Sequence, residues 1–297
     1  AGMENTITQK EDVRVKRKSQ VIETAKRYMK NKLAVLGLLI FLVILFFALF
    51  AGKFGTYEES VAIDIVNKLK TPSSEHWFGT DTYGRDLFLR CIYGARISLI
   101  IGIVASLLSL LVGGLLGMTA AYYGGNYDNN AMRMLDIFSA IPTILLAICI
   151  VAALGDSTFN IILALAISRM PSFARIARAS VLGVSGQEYV EAARAGGTGD
   201  MRILLRHVLP NMLGPIMVQT TTNVAQMILQ IASLSFLGLG VPSPTPEWGA
   251  IITEAKGVMR MFPYMIWIPG ICIMAASLSV NLIGDSLRDA LDPRLKN

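Results

Sequence analysis

Long apolar runs, separated by shorter polar segments, are the main pattern of this sequence. About 20 consecutive apolar residues cross a bilayer as one helix. Six runs predict such spans, at residues 33–51, 99–122, 137–154, from 159, 212–234 and 264–283. The fourth is the weakest, because Arg169 and Pro171 soon follow it. The pattern predicts an all-α integral membrane protein, with a basic tail at 1–32 and a transmembrane domain at 33–297.

The positions of lysine and arginine orient the predicted spans. With the amino terminus in the cytoplasm, the inside segments carry 19 of the 27 basic residues and the outside segments carry 8. Cytoplasmic loops of membrane proteins are enriched in these residues. The distribution therefore predicts six crossings with both termini inside, an external loop at 52–96 and a cytoplasmic loop at about 185–207. It also explains the net charge of +6 without nucleic acid.

The basic tail ends in a roughly amphipathic stretch, RVKRKSQVIETAKRYMKNK, directly before the first span. One interpretation is an anchor that lies on anionic membrane lipid and fixes the topology. The other is direct contact with a protein partner.

Composition argues against several chemistries. Only 16% of the residues are charged, compared with about 25% in ordinary soluble domains. The three cysteines show no CxxC spacing, and His76 and His207 lie far apart. We therefore expect no disulfide framework, no metal site and no catalytic residues. The first apolar run lacks a small-residue cleavage signal, so we expect it to be a retained span.

The cytoplasmic loop has an unusual organisation. A short helix with acidic residues in its first turn, Glu188 and Glu191, is followed by glycines and then by a second, basic helix beginning near Asp200. Glycine adopts positive φ at little cost, so Gly197 can form an elbow between the two helices. Pro210 is expected to end the second helix or bend it into the fifth span. Such an arrangement can transmit a push from a cytosolic partner into the membrane.

The same loop resembles a known motif. The order Glu-Ala-Ala, three residues, Gly, nine residues, a usually apolar residue, one residue and Leu-Pro is that of the EAA loop of ABC importer permeases. His207 occupies the usually apolar position, which departs from the general pattern. The matching residues are Glu191, Ala192, Ala193, Gly197, Leu209 and Pro210.

Three further stretches are similar to the second permease subunit of the oligopeptide, dipeptide and nickel importers. They are HWFGTDTYGRDLFLRCIYGARISL at 76–99, SFLGLGVPSPTPEWGAII at 235–252 and DSLRDALDPRLKN at 285–297. The resemblance implies the type I ABC importer permease fold in a bacterial or archaeal inner membrane. It implies a heterodimer with a homologous permease, two ABC ATPase subunits and an extracellular or periplasmic peptide-binding protein.

In that family the EAA segment is the coupling helix, which docks on an ATPase subunit. The resemblance therefore implies that Glu191 and its neighbours contact the ATPase and that Gly197 shapes the elbow, with Glu188 and the six motif residues together forming the ATPase-coupling segment. ATP and Mg²⁺ would be bound by the partner ATPases, since the chain has no GxxxxGK[ST] phosphate-binding loop.

The fifth span carries a row of amides that cannot face lipid, because unpaired amides are costly in hydrocarbon. The row falls within an arc of roughly 60° of the helix. It predicts either a water-filled path for a hydrogen-bonding solute or polar contacts with a neighbouring helix. Asn281, in the sixth span, is a weaker candidate for the same role. The row consists of Gln219, Asn223, Gln226 and Gln230.

A neutral amide path suits peptides of variable side chains, although a metal chelate or glutathione would also fit. An ion-coupled secondary transporter is a distant alternative, because the second, third, fifth and sixth spans lack charged residues in their cores. An intramembrane enzyme would need a nucleophile and a base facing a common site, and the spans offer none.

The external segment around WFGTDTYGRD has two interpretations. Asp81 and Asp86 can cap turns and pair with Arg85 or Arg90, which would make a folded cap on the second span. Alternatively, the segment contacts an extracellular substrate-binding protein.

Overall fold

A computed structural model describes residues 28–291 of the chain. Within that range the secondary structure is helical, apart from an isolated bridge between Thr80 and Asp86, so the predicted all-α class is confirmed. The main helices are α1 (Lys32–Leu49), α2 (Tyr57–Val61), α3 (Leu87–Tyr123), α4 (Gly125–Ser139), α5 (Thr143–Leu154), α6 (Thr158–Ser185), α7 (Glu188–Ala195), α8 (Asp200–Ile203), α9 (Leu209–Phe236), α10 (Trp248–Ala255) and α11 (Tyr264–Leu291).

Most of the predicted basic tail lies outside the described residues, as do the last six residues of the chain. Short 3₁₀ turns occur at Ala51–Lys53, Ile65–Asn67 and Lys256–Val258, and a π-turn occurs at Leu204–Val208. Helix α3 begins at Leu87, within the external loop predicted at 52–96, and the membrane boundaries of that loop stay a prediction.

Four of the described helices, α1, α3, α6 and α11, are long and apolar enough to cross a membrane. Helices α4 and α5 are long and apolar enough to cross a membrane only when they are counted together as one span. Helix α9 is long enough, but its amides and threonines lower its hydropathy. Six crossings with both termini inside therefore stay a prediction.

The predicted third span requires a correction, because it is broken. Helix α4 ends at Ser139, α5 begins at Thr143, and the two are bent by 84°. Pro142 has no backbone N–H and disfavours helical backbone at the preceding Ile141, which explains the break.

Helix α6, which is the predicted fourth span, is longer than its apolar run indicates. It begins after Ser157, whose side chain accepts a hydrogen bond from the backbone N–H of Asn160 at 3.2 Å, and it continues through Pro171.

Helix α3 packs tightly against α6 at two glycines. A Cβ atom on Gly117 would lie 2.0 Å from the carbonyl oxygen of Ala174, so only glycine allows this approach.

Helix α10 is held inside the protein at the external end by a buried carboxylate. Glu247 caps α10 by accepting from the backbone N–H of Ala250 at 2.9 Å. It also accepts from the hydroxyls of Ser98 on α3, at 3.0 Å, and Ser235 on α9, at 2.7 Å. Three elements are thereby joined at one residue, and the carboxylate is satisfied despite its burial.

Candidate functional site

The glycine elbow after α7 is a well-formed helix end. Gly197 has φ +74°, in the left-handed region that the sequence predicted for it. The N–H of Thr198 donates to the carbonyl of Ala193 at 3.0 Å, and the N–H of Gly197 donates to the carbonyl of Arg194 at 3.0 Å. This pair of bonds is the Schellman motif, which satisfies the last carbonyls of α7 and fixes the direction of the chain that leaves it.

Helix α7 is attached to the membrane helices through the apolar side chains of Val190 and Ala193. Val190 is fully buried and joins a cluster with residues of α3, α6 and α9. Ala193 is half-buried and packs against the same cluster, whereas Ala192 is exposed. The two alanines therefore have different environments, and the outward face of α7 includes Glu188, Glu191 and Ala192.

Polar contacts add to this attachment. The hydroxyl of Tyr122, near the end of α3, donates to Oδ1 of Asp200 at 2.7 Å. The guanidinium of Arg194 lies over the ring of Tyr122, 5.4 Å from its centroid. The Tyr122 hydroxyl, together with Asp200 and Glu191, raises the pKa of Arg194 above its ordinary value. Helix α8 begins at Asp200, as the sequence predicted, and Gly199 is its N-cap residue.

The basic helix continues into α9 without a break, through the π-turn. The N–H of Leu209 donates to the carbonyl of Leu204, five residues back. Of the two alternatives expected for Pro210, the helix does not end there but continues into α9, the predicted fifth span. Leu209 is half-buried in the cluster below α7, and Pro210 is exposed. π-turns of this kind are frequent at functional sites.

Two ion pairs that the sequence analysis missed connect α4 to α6 near the same cytoplasmic end. Arg178 makes two hydrogen bonds of 2.7 Å to the carboxylate of Asp128, in the bidentate arrangement. Arg175 contacts Asp136 at 2.9 Å, and both of these side chains are largely exposed. The amphipathic spacing of α4 indicates a polar face on this helix. Which residues pair with that face depends on tertiary packing, so the sequence alone did not identify them.

The amide row of α9 is divided between two environments. Asn223 is fully buried, and its Nδ2 donates to the hydroxyl of Ser106 on α3 at 3.3 Å. Gln226 and Gln230 instead line an open depression of about 550 Å³. Gln219 and, on α11, Asn281 are half-buried. The structure thus brings Gln226 and Gln230 together, while Asn223 lies between helices and Asn281 is on a separate helix.

Arg169 is the residue of this depression that the sequence analysis missed. Its Nε donates to Oε1 of Gln230 at 3.4 Å, and Nε2 of Gln230 donates to the carbonyl of Thr143 at 3.4 Å. These contacts join α6, α9 and the start of α5. The available signal was an arginine 11 residues into a helix that had to cross the membrane.

Among residues 28–291, no group of three or more His, Cys, Asp or Glu could hold a metal ion.

The external segment is a folded cap built on a buried charge network. Asp81 accepts from Nε of Arg85 at 2.6 Å and also from the guanidinium of Arg90. Glu254, at the end of α10, contacts the same two arginines. The predicted pairing of Asp81 with the arginines is confirmed, and Glu254 is an additional partner. Asp86 caps α3 through the N–H of Leu89, as expected for a capping aspartate.

Two family descriptions match this chain. The first is the binding-protein-dependent transport system inner membrane component, over residues 113–297. The second is the N-terminal TM domain of oligopeptide transport permease C, over residues 19–72. Together they cover most of the chain.

Individual proteins are similar over almost the whole length. The dipeptide transport system permease protein DppC of Alkalihalophilus pseudofirmus is 44% identical, over 93% of this chain and 90% of that protein. The glutathione transport system permease protein GsiD of Escherichia coli is 42% identical, over 91% and 89%. A chain of the MetNI methionine ABC transporter in an inward facing conformation has a TM-score of 0.58 at 18% identity, over 69% of this chain and 98% of that chain. This likeness confirms the predicted permease fold.

Proposed function

This chain belongs to the family of binding-protein-dependent transport system inner membrane components, and we propose that it is one of two transmembrane subunits of an ATP-driven peptide importer. The second subunit is a homologous permease, and two ABC ATPase subunits bind ATP and Mg²⁺ at the cytoplasmic face. A peptide-binding protein delivers the cargo from outside. The complex lies in a bacterial or archaeal inner membrane.

The exposed face of α7 is the observation that carries this proposal. It presents Glu188, Glu191 and Ala192 to the cytoplasm on a helix whose opposite side is anchored by Val190. The Schellman motif at Gly197 holds the helix at a fixed angle to the chain that follows. A protein that pushes on this face moves a rigid unit rather than a loose loop, because the anchor reaches α3, α6 and α9.

The proposed mechanism is alternating access driven from the ATPases. When ATP binding brings the two ATPases together, one of them displaces α7 and the other displaces the matching helix of the second permease. The cluster around Val190 transmits the displacement to the membrane helices, which open the path toward the binding protein. ATP hydrolysis returns the helices to the inward-facing arrangement.

Crosslinking tests the assignment of α7. A cysteine replacing the exposed Ala192 should be captured by a bifunctional thiol reagent together with an ATPase subunit in the assembled complex. A cysteine at Ile65, which is 76% exposed on the external segment, is the matched control and should capture no ATPase. Absence of an ATPase adduct at position 192 in an active complex would contradict the proposal.

The same two cysteines test the proposed topology of six crossings. In intact cells, a membrane-impermeant maleimide should label position 65 and leave position 192 unlabelled until the membrane is permeabilised. Labelling of both positions from outside would overturn the cytoplasmic placement of α7.

Peptides are the proposed cargo, and glutathione or a metal chelate is the alternative within the same family. The depression on α9 is lined by amides and an arginine, which suit a peptide backbone and its charged end. Bare nickel would require His, Cys or carboxylate ligands. Uptake of labelled di- and oligopeptides into proteoliposomes containing the full complex, in competition with glutathione, separates these cargoes.

A further inference from the structure

Arg169 lies in the middle of a membrane-spanning helix. It is 11 residues from the first residue of α6, which corresponds to about 16 Å along the helix axis. Half of a typical hydrocarbon core is about 15 Å thick. Thr143, which lines the same depression, is likewise 11 residues from the end of α5 at Leu154, so both helices place the depression at a similar distance from the turn that joins them, near mid-membrane.

The guanidinium has no anionic partner within the part of the chain that the structure describes. No carboxylate of residues 28–291 lies within 4 Å of it. Its hydrogen bond in this range goes to Gln230 and measures 3.4 Å, longer than an ordinary N–H···O bond. A guanidinium carries five N–H donors, so most of its hydrogen-bonding capacity has no partner among the described residues. Intramembrane arginines are costly and are usually associated with function.

The surroundings favour an anion. The lining of the depression contains no Asp or Glu, and it includes the first residues of α5, whose N–H groups are not capped by a side chain. Gln230 is 7% exposed, and its Oε1 orients the guanidinium while its Nε2 contacts the carbonyl of Thr143. The residues that line the depression are Thr143, Ile144, Arg169, Gln226, Leu229, Gln230 and Ser233.

We propose that Arg169, supported by Gln226 and Gln230, binds a carboxylate of the cargo as it passes through the membrane. For a peptide this group is the carboxyl terminus, which every peptide carries irrespective of its side chains. The inference rests on the proposed import function and adds to it a contact that is independent of sequence. The planar guanidinium pairs with a carboxylate through two parallel hydrogen bonds, while the amides contact the backbone.

Protection from thiol labelling tests this contact without requiring transport. Ser233 is exposed in the depression, so a cysteine is placed there in the purified complex, with Cys149 replaced by alanine and no binding protein present. Trialanine with a free carboxylate should slow maleimide labelling at about tenfold lower concentration than trialanine amide. Arg169→Gln should abolish this difference, and Arg169→Lys should retain part of it.

Arg175→Gln is the matched control, because it removes one positive charge from an exposed position of the same helix and should leave the preference intact. Comparable yields of the assembled complex show that each variant folds. Equal protection by the acid and the amide, or no protection by the acid, would contradict the proposal. So would a preference that persists in Arg169→Gln.

Uptake into proteoliposomes separates this inference from the proposed function. ATP-dependent import without a carboxylate preference at Arg169 would support the import function and contradict the proposed carboxylate contact. Protection by the acid without any import would support the carboxylate contact at Arg169 and contradict the import function. If Arg169 instead pairs with a carboxylate of the second permease, Arg169→Gln should reduce assembly and should change uptake of both peptides equally, which also overturns the inference.

Discussion

The hydroxyl of Tyr122 donates a hydrogen bond of 2.7 Å to Asp200, and this bond joins the cytoplasmic end of α3 to the start of α8. The two residues are 78 positions apart in the chain. Because the Arg194 guanidinium also lies over the Tyr122 ring, one side chain of a membrane helix contacts the segments on both sides of the glycine elbow. The elbow is therefore held from the membrane side as well as by its own backbone bonds.

Removing that hydroxyl should weaken coupling without preventing folding. Tyr122→Phe deletes one hydrogen bond at an exposed site, worth about 1 kcal/mol, so we expect a several-fold loss of transport-coupled ATP hydrolysis in proteoliposomes. Tyr123→Phe is the matched control, because Tyr123 is 58% exposed and its ring is kept. Equal activity of the two variants would show that the bond to Asp200 plays no part in coupling.

Gly197 should be sensitive to substitution for a conformational reason alone. A Cβ atom there would meet nothing within 4 Å, but the φ of +74° is unfavourable for other residues. Gly197→Ala should therefore destabilise the elbow by about 1–2 kcal/mol. Gly199→Ala has the same free space at an ordinary φ of −65°. Amide hydrogen exchange in α7 should accelerate in the first variant and not in the second; the reverse order would count against the Schellman elbow.

The two ion pairs between α4 and α6 should differ in their contribution to stability. Arg178 makes a bidentate pair with Asp128, whose side chain is 12% exposed, whereas Arg175 and Asp136 are 49% and 66% exposed. Exposed pairs contribute about 0–1 kcal/mol, and charge-assisted hydrogen bonds to a less exposed partner contribute about 1.5–3 kcal/mol each. In thermal unfolding of the purified complex, Arg178→Ala should lower the Tm clearly more than Arg175→Ala. Similar shifts would mean that bidentate geometry adds nothing here.

Features set by local backbone chemistry could be predicted from the sequence. The positive φ of Gly197 and the capping role of Asp86 follow from what glycine and aspartate do in short segments. The apolar runs likewise gave the approximate positions of the long helices. The break of 84° between α4 and α5 was only partly accessible, because Pro142 marks a discontinuity and does not fix its angle.

Contacts between distant helices could not be predicted, because they depend on how each helix is rotated and at what depth it packs. The amide row was visible as a stripe, yet only packing separates Asn223, which contacts Ser106, from Gln230, which contacts Arg169. For the same reason Glu254 was missed as a partner of Arg90, 164 residues away. An unbalanced charge within a required span, as at Arg169, was the strongest signal that the sequence analysis left unused.

The external charge network gives the prediction with the largest expected effect on stability. Asp81 is 1% exposed and accepts from two guanidiniums that are themselves 2% and 0% exposed. Asp81→Asn keeps the size of the side chain but leaves Glu254 as the one carboxylate near Arg85 and Arg90 among the described residues. Breaking a buried pair from one side costs about 3–5 kcal/mol, so the variant should assemble poorly and unfold at a much lower temperature.

Glu58→Gln, on the exposed face of α2, removes one negative charge from the same external region and serves as its control. We expect it to leave the yield and the Tm of the complex unchanged. If Asp81→Asn matched this control, the two arginines would have to be neutralised by something other than Asp81. If Asp81→Asn is destabilising as expected, adding Arg90→Met should restore much of the lost stability, because Glu254 then balances the one remaining arginine and methionine fills a similar volume.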